Sequence, residues 1–203
     1  MKTQHRLILR QIGKEGEQMT HKVYCIIGRT ASGKTTIVDA VANNLNMNIL
    51  QSYTTRPRRS NEVGDNCGHT FISASEVDKY RPDMVAYTER VGYCSFATKQ
   101  QLMDNDFYVI NPSGFAELLD KTKNIPNLKL IDIWIRCDND TLIKRAKRRD
   151  NYDDWFANFK KEEQEFMKFY PGVNYSYIVN NSGKLSDAIE EVQRIVQVEK
   201  YKD

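Results

Sequence analysis

"KVYCIIGRTASGKTTIVDAVANNLN", residues 22–46, joins two different patterns through a glycine-rich turn. The run "KVYCIIG" is apolar and β-branched with no polar alternation, which predicts a strand covered on both faces. After the turn, Ile37, Val38, Val41, Ala42 and Leu45 recur at helical spacing. Between them, Gly28-x-x-x-x-Gly33-Lys34-Thr35 matches the phosphate-binding P-loop pattern. Glycines let the backbone turn tightly enough to aim several N–H groups at a phosphate, and the helix that follows adds its positive end. A chance glycine-rich turn is the competing reading, and the flanking strand and helix weigh against it. The pattern predicts that this loop holds a nucleoside triphosphate. Lys34 would reach the β- and γ-phosphates, and the Thr35 hydroxyl would bind Mg²⁺.

Outward from this stretch, "DFYVINPSG" (106–114), "LKLIDIWIRC" (128–137) and "YSYIVNN" (175–181) are further buried-strand patterns. Helical patterns separate them, in "SGFAELLDKTK" (113–123) and "NDTLIKRAKRR" (139–149). The last helix, "KLSDAIEEVQRIVQVEKY", carries an apolar stripe at Leu185, Ala188, Ile189, Val192, Ile195 and Val196. Strands alternating with helices predict an α/β protein, a three-layer P-loop NTPase fold on a parallel core sheet. Two stretches break the rhythm. Residues 52–101 are polar and turn-rich, and 138–170 are charged and helical, so both read as insertions on a core of 22–51, 102–137 and 171–203. Residues 1–21 read as an N-terminal extension.

Composition bounds the function. The net charge of +3 over 203 residues is too small to argue for nucleic acid. No apolar run approaches the roughly 20 residues that cross a bilayer, so no membrane partner is expected and a cytoplasmic location follows by default. Cys25, Cys67, Cys94 and Cys137 are widely spaced, against both a disulfide framework and a metal site.

Two basic clusters matter more than the total charge. "SYTTRPRR", Ser52–Arg59, packs three arginines and four hydroxyls into eight residues. Arginine forks bind phosphate oxygens bidentately and hydroxyls complete the shell. Alone, the segment would equally serve as a solvated basic loop or a nucleic-acid patch. Beside a P-loop it predicts a second phosphate site, hence transfer between two nucleotides. "KRAKRR", Lys144–Arg149, carries five positive charges in six residues, with Arg145 and Arg149 on one helical face. Such arginines stabilise the charge spread over a transferring phosphoryl group, although a solvated helix face has the same pattern.

"SYTTRPRR…E…GHTFIS" resembles the acceptor loop of guanylate kinases, and the resemblance runs over about residues 22–197. "YCSFAT" sits where that family has its Tyr-Gly-Thr/Ser step. "LIKRAKRR" resembles the arginine-bearing lid entry and "EEQEF" the lid-exit helix. The resemblance implies ATP on Gly28, Arg29, Thr30, Ala31, Ser32, Gly33, Lys34, Thr35 and Thr36, with Mg²⁺ accompanying it, and Asn180 near the adenine. Asn180 is also an ordinary residue to end a strand. It implies Lys34, Arg145 and Arg149 as catalytic groups. It implies an acceptor monophosphate held by Ser52, Arg56 and Arg59, with Arg58 as the rival of Arg59. His69 stands where the family has a phosphate-binding tyrosine. Thr98 falls at a base contact, and equally at the cap of a helix beginning "KQQLM".

The departures lie at the base. The family's guanine-reading glutamate aligns with Ala86, with Glu89 three residues on. The acidic third strand is replaced by Val109 and Asn111, and a further lid arginine by Asn158, beside Lys160 and Lys161. The implied activity is ATP-dependent phosphoryl transfer to a nucleoside monophosphate, GMP or dGMP, giving ADP and a nucleoside diphosphate. A guanylate-kinase-like binding module without catalysis, and a P-loop kinase for another small acceptor, are the alternatives. The intact P-loop ranks the binding module below the enzyme.

Overall fold

The structure, a computed structural model, describes residues 20–59, 62, 64, 68–90, 92–148, 152–169 and 175–202, without the side chains of Arg90 and Asp154. The expected N-terminal extension falls almost entirely outside these residues, and so does Arg149.

Strand β1 (His21–Ile27) leads through the glycine loop into helix α1 (Lys34–Leu45). β1 lies between β6 (Phe107–Val109) and β7 (Leu128–Arg136), and β7 pairs with β8 (Tyr177–Asn180). All three pairings are parallel. Ile49 adds a single parallel bridge to Phe107, extending the β6 edge. Successive β1 side chains enter opposite faces, which explains the unbroken apolar run. Tyr24 and Ile26 join a cluster with Ile37 and Val41 of α1 and with Val192 and Ile195 of α6 (Leu185–Lys200). Val23, Cys25 and Ile27 join a second cluster with Phe115 and Leu118 of α3 (Pro112–Thr122). The core is therefore helix, parallel sheet, helix. Side chains such as Ile133 and Ile135 are fully buried, each stabilising the fold by roughly 1.5–3 kcal/mol. Leu185, the first residue of the predicted stripe, is 37% exposed because it lies in the first turn of α6.

A second sheet interrupts this plan between β1 and β6. Its order is β3 (His69–Phe71), β2 (Ser52–Thr54), β5 (Tyr93–Thr98), β4 (Met84–Arg90). β2 and β3 are parallel, and the other pairs are antiparallel. Tight 3₁₀ turns over Ala74–Asp83 cover one side, with Tyr80 stacked on Tyr53 at 4.4 Å between ring centroids. A register shift between Met84 and Ala86 turns consecutive residues Val85 and Ala86 both inward, onto the second core cluster. Helix α2 (Lys99–Asp104) returns the chain to β6.

After β7 come α4 (Asn139–Ala146) and α5 (Tyr152–Phe169). Asp138 caps α4, accepting from the Thr141 N–H at 2.7 Å and the Thr141 hydroxyl at 3.0 Å. Leu142, Ala146 and Trp155 close over Ala31 of the glycine loop. This contact seats the helical pair on the loop itself. Among the described residues, no helix is long and apolar enough to cross a membrane.

Candidate active site

The loop at the end of β1 has little room. A Cβ on Gly28 would lie 2.6 Å from the Ile135 carbonyl oxygen. Gly33 has φ +91° and a Cβ there would lie 2.5 Å from Asn181 Nδ2, so both positions demand glycine. Lys34 folds back across the loop and donates to the Gly28 and Arg29 carbonyls at 2.5 and 2.9 Å. Thr35 and Thr36 are exposed at the start of α1. The buried Ser32 hydroxyl has no hydrogen-bond partner among the described residues, and so offers an uncommitted group at the loop.

Two side chains from outside the loop meet the Ser32 carbonyl. Asn181 Nδ2 donates to it at 2.7 Å and Arg145 Nη1 at 3.3 Å. Arg145 thus reaches the loop. Asn180 does not: its side chain is exposed, and Oδ1 accepts from the Ser182 N–H at 3.0 Å. The turn function of Asn180 is realised, and the loop-facing asparagine is its neighbour.

Helix α5 grips the loop from another side. The Arg29 guanidinium stacks on Phe159 at 4.1 Å and donates to Asn139 Oδ1 at 2.7 Å. Its Nη1 also lies 3.5 Å from Glu163. Burial pulls the Arg29 pKa down from its usual value, opposed by Glu162 and Glu163. Glu162 Oε1 accepts from both the Thr30 N–H at 2.8 Å and the Thr30 hydroxyl at 2.6 Å. Glu162 opens the "EEQEF" stretch that resembles the lid-exit helix, but no pattern there singles it out from the neighbouring charges. Asn158, Lys160 and Lys161 are exposed on the same helix.

Between loop and helix lies a cavity of about 180 Å³, lined by Thr30, Lys34, Asn111, Glu162 and Glu165 among others. Asn111 caps α3, its Oδ1 accepting from the Gly114 N–H at 3.0 Å. Its Nδ2 faces Glu165 Oε1 at 3.4 Å, and the Ser113 hydroxyl donates to the same oxygen at 2.9 Å. Asn111 is therefore at the cleft, with its carbonyl already engaged.

The arginine loop forms a separate constellation around Glu62. Arg56 meets that carboxylate with both Nη atoms, at 2.7 and 2.5 Å, and the Arg59 N–H donates to it at 2.9 Å. Chiefly through the Arg56 hydrogen bonds, Glu62 is held down to a pKa of about 2. The rival arginines differ. Arg58 folds back on the Glu62 and Gly64 carbonyls and lies over Phe71 at 4.5 Å. Arg59 has an exposed side chain. Ser52 Oγ and His69 Nδ1 are 2.9 Å apart. Burial first, and then Arg56, lowers the His69 pKa, which favours the neutral imidazole.

Three positions that the resemblance places near the base have other partners here. Thr98 is buried and caps α2, accepting from the Gln101 N–H at 3.3 Å, while Gln101 Oε1 accepts from the Thr98 N–H at 3.1 Å. Ala86 is 2% exposed in the apolar cluster with Phe115 and Leu118. Glu89 is exposed in regular β4 and accepts from the Tyr87 hydroxyl at 3.2 Å.

No family model matches the chain, and no curated protein matches it in sequence. Among solved structures, the chain is similar to the guanylate kinase of Anaplasma phagocytophilum, with a TM-score of 0.67. The two are 16% identical over 91% of this chain and 88% of that one. That likeness shows the architecture: the chain has an α/β P-loop NTPase fold.

Proposed function

We propose that the chain is a nucleoside monophosphate kinase, transferring the γ-phosphoryl group of ATP to GMP or dGMP and releasing ADP and the nucleoside diphosphate. The observation that carries this reading is the convergence of Lys34, Arg145 and the Gly28–Gly33 backbone on one loop, beside a second, independent arginine-and-hydroxyl set. The fold similarity supports a nucleotide kinase of this kind.

In this reading residues 138–170 form the lid and 52–101 the acceptor-binding insertion. The loop N–H groups and Lys34 hold the triphosphate, and Arg145 neutralises charge that develops during transfer. Arg149, in the same role, lies outside the described residues. Ser52, Arg56, Arg59 and His69 hold the acceptor phosphate. No general base is required, because alignment and charge neutralisation carry phosphoryl transfer.

The donor set at the loop fits Mg²⁺ arriving with ATP. Thr35 presents an exposed hydroxyl, and no cluster of three or more His, Cys, Asp or Glu among the described residues could hold a metal alone. Bound there, Mg²⁺ would supply charge neutralisation on the phosphate oxygens. The burial of Ala86 favours a second reading of the acceptor, a small phosphorylated molecule not read as guanine.

An ADP-release assay across the common nucleoside monophosphates and their deoxy forms tests the proposal. Activity on a purine monophosphate that disappears in Lys34→Ala supports it. ADP release that no monophosphate increases, or no ADP release with any of them, removes it.

A further inference from the structure

Resting on the nucleotide reading of the loop, we propose that Glu162 is a built-in competitor of the nucleotide, a latch whose carboxylate takes the loop donors that a phosphate oxygen would take. Three observations carry this. First, one carboxylate oxygen accepts from a backbone N–H and a hydroxyl of the same loop residue, Thr30, at 2.8 and 2.6 Å. An anion accepting from loop N–H groups is the chemistry by which such loops hold phosphate. Second, the other oxygen lies 3.9 Å from the Arg29 Nε, an ion pair without a hydrogen bond, so the loop's cation also faces this carboxylate. Third, Glu162 lines the same cavity as Lys34 and Asn111.

The latch is double. Glu162 holds Thr30, while Arg29 holds the helices through Phe159, Asn139 and Glu163. The two halves have different fates when a phosphate enters. Arg29 keeps the face of Phe159 and the Asn139 amide oxygen, neutral partners that a phosphate does not repel. Glu162 must leave, because a carboxylate and a phosphate oxygen beside one N–H repel each other. Nucleotide binding therefore releases the Glu162 contact between α5 and the loop and retains the Arg29–Phe159 contact. The apparent affinity for ATP is then reduced by the fraction of molecules whose latch is closed.

The experiment reads the latch with and without nucleotide. Amide hydrogen exchange at Thr30 is measured in the ligand-free full chain as wild type, Glu162→Gln and Glu162→Ala. Protection in the wild type that falls at least tenfold in Glu162→Ala is expected, with Glu162→Gln between, since a neutral amide oxygen still accepts but more weakly. Equal exchange in all three overturns the latch, whatever the loop binds. ATP titration of the same proteins gives the second arm. About tenfold tighter binding by Glu162→Ala is expected, and unchanged or weaker binding overturns the competition. Protection at Thr30 without ATP binding in any variant overturns instead the nucleotide reading, and the competition with it.

Discussion

The Asn181 side-chain amide donates to the Ser32 carbonyl at 2.7 Å from a residue with no solvent exposure. Asn181 is itself fixed by the sheet, its N–H bonded to the Arg136 carbonyl at 2.8 Å. The glycine loop is thus tied to the far strand of the core through one amide. Asn181→Ala leaves Ser32 with Arg145 as its remaining partner in that contact, and also opens a small cavity. Losing a buried hydrogen bond costs about 1–3 kcal/mol, equivalent to roughly 2–4 °C of Tm per kcal/mol at this chain length. The expected result is a lowered Tm and a KM for ATP raised more than the acceptor's. Asn180→Ala, at the adjacent residue but pointing to solvent, is expected to change neither, as thermal melting and steady-state kinetics would show.

Lys34→Ala removes the ammonium that bridges the Gly28 and Arg29 carbonyls. If it faces the transferred phosphate, it contributes several kcal/mol in the transition state, and turnover is expected to fall by about two orders of magnitude or more. The side chain is only half-buried, so far-UV circular dichroism should remain that of the wild type. Unchanged turnover would remove the loop from the chemistry.

The arginine loop makes a pH prediction. Glu62 has a folded pKa of about 2 against an ordinary value of 4.5, with the Arg56 hydrogen bonds as the largest cause. A lowered folded pKa means that the pair stabilises the protein fully above the unfolded value. That contribution is lost as pH falls from about 4.5 through about 2. Glu62→Gln should therefore be less stable than wild type at pH 7, with the gap closing across that acid window. Denaturant unfolding of both proteins at a series of pH values measures it.

How the sequence carried this information differs by element. The central strand β1 was legible because burial on both faces leaves an unbroken apolar run, Val23–Ile27, and the α1 stripe because four of its five apolar positions are buried; the edge strand β8 kept an apolar run although Ile178 is 51% exposed. The short strands β2 and β3, three residues each, give no such run; β2 joins the sheet by pairing with β5, and β3 by pairing with β2. Asn180 and Asn181 are indistinguishable in sequence, and strand alternation sends one out and one onto the loop. Thr98 was legible as a cap because Gln101 stands three residues on, completing the box. Glu162 was not, because its partner Thr30 is 132 residues away and no local pattern encodes that contact.

Arg56 and Arg59 should behave as acceptor residues. Replacing either with alanine is expected to raise the acceptor KM at least tenfold while leaving that of ATP within about threefold, since loss of a charged hydrogen bond costs roughly 1.5–3 kcal/mol. Arg58→Ala should do less, because Arg58 is already committed to the Glu62 and Gly64 carbonyls and to the face of Phe71. Steady-state kinetics with each substrate varied separately decides between the neighbours. Equal effects on both constants would make these arginines structural.

Base selectivity follows from where the side-chain acceptors lie. Guanine presents N1–H and N2–H donors, for which a carboxylate is the strongest partner. Ala86 has no acceptor and is packed against Phe115 and Leu118, so it reads nothing. Val109 is apolar, and the Asn111 carbonyl is already engaged by the Gly114 N–H. Glu89 is exposed in β4 and held by the Tyr87 hydroxyl. The remaining reading relies on neutral groups, whose hydrogen bonds contribute about 1 kcal/mol net against about 2 for charged ones. Activity on GMP or dGMP should therefore exceed that on AMP and IMP by only about tenfold to a hundredfold, or about 1.4–2.8 kcal/mol. Competing kcat/KM measurements on the four monophosphates check it. A gap far beyond a hundredfold would assign the base to a carboxylate, with Glu165, which faces Asn111 at 3.4 Å, as the first to replace by glutamine.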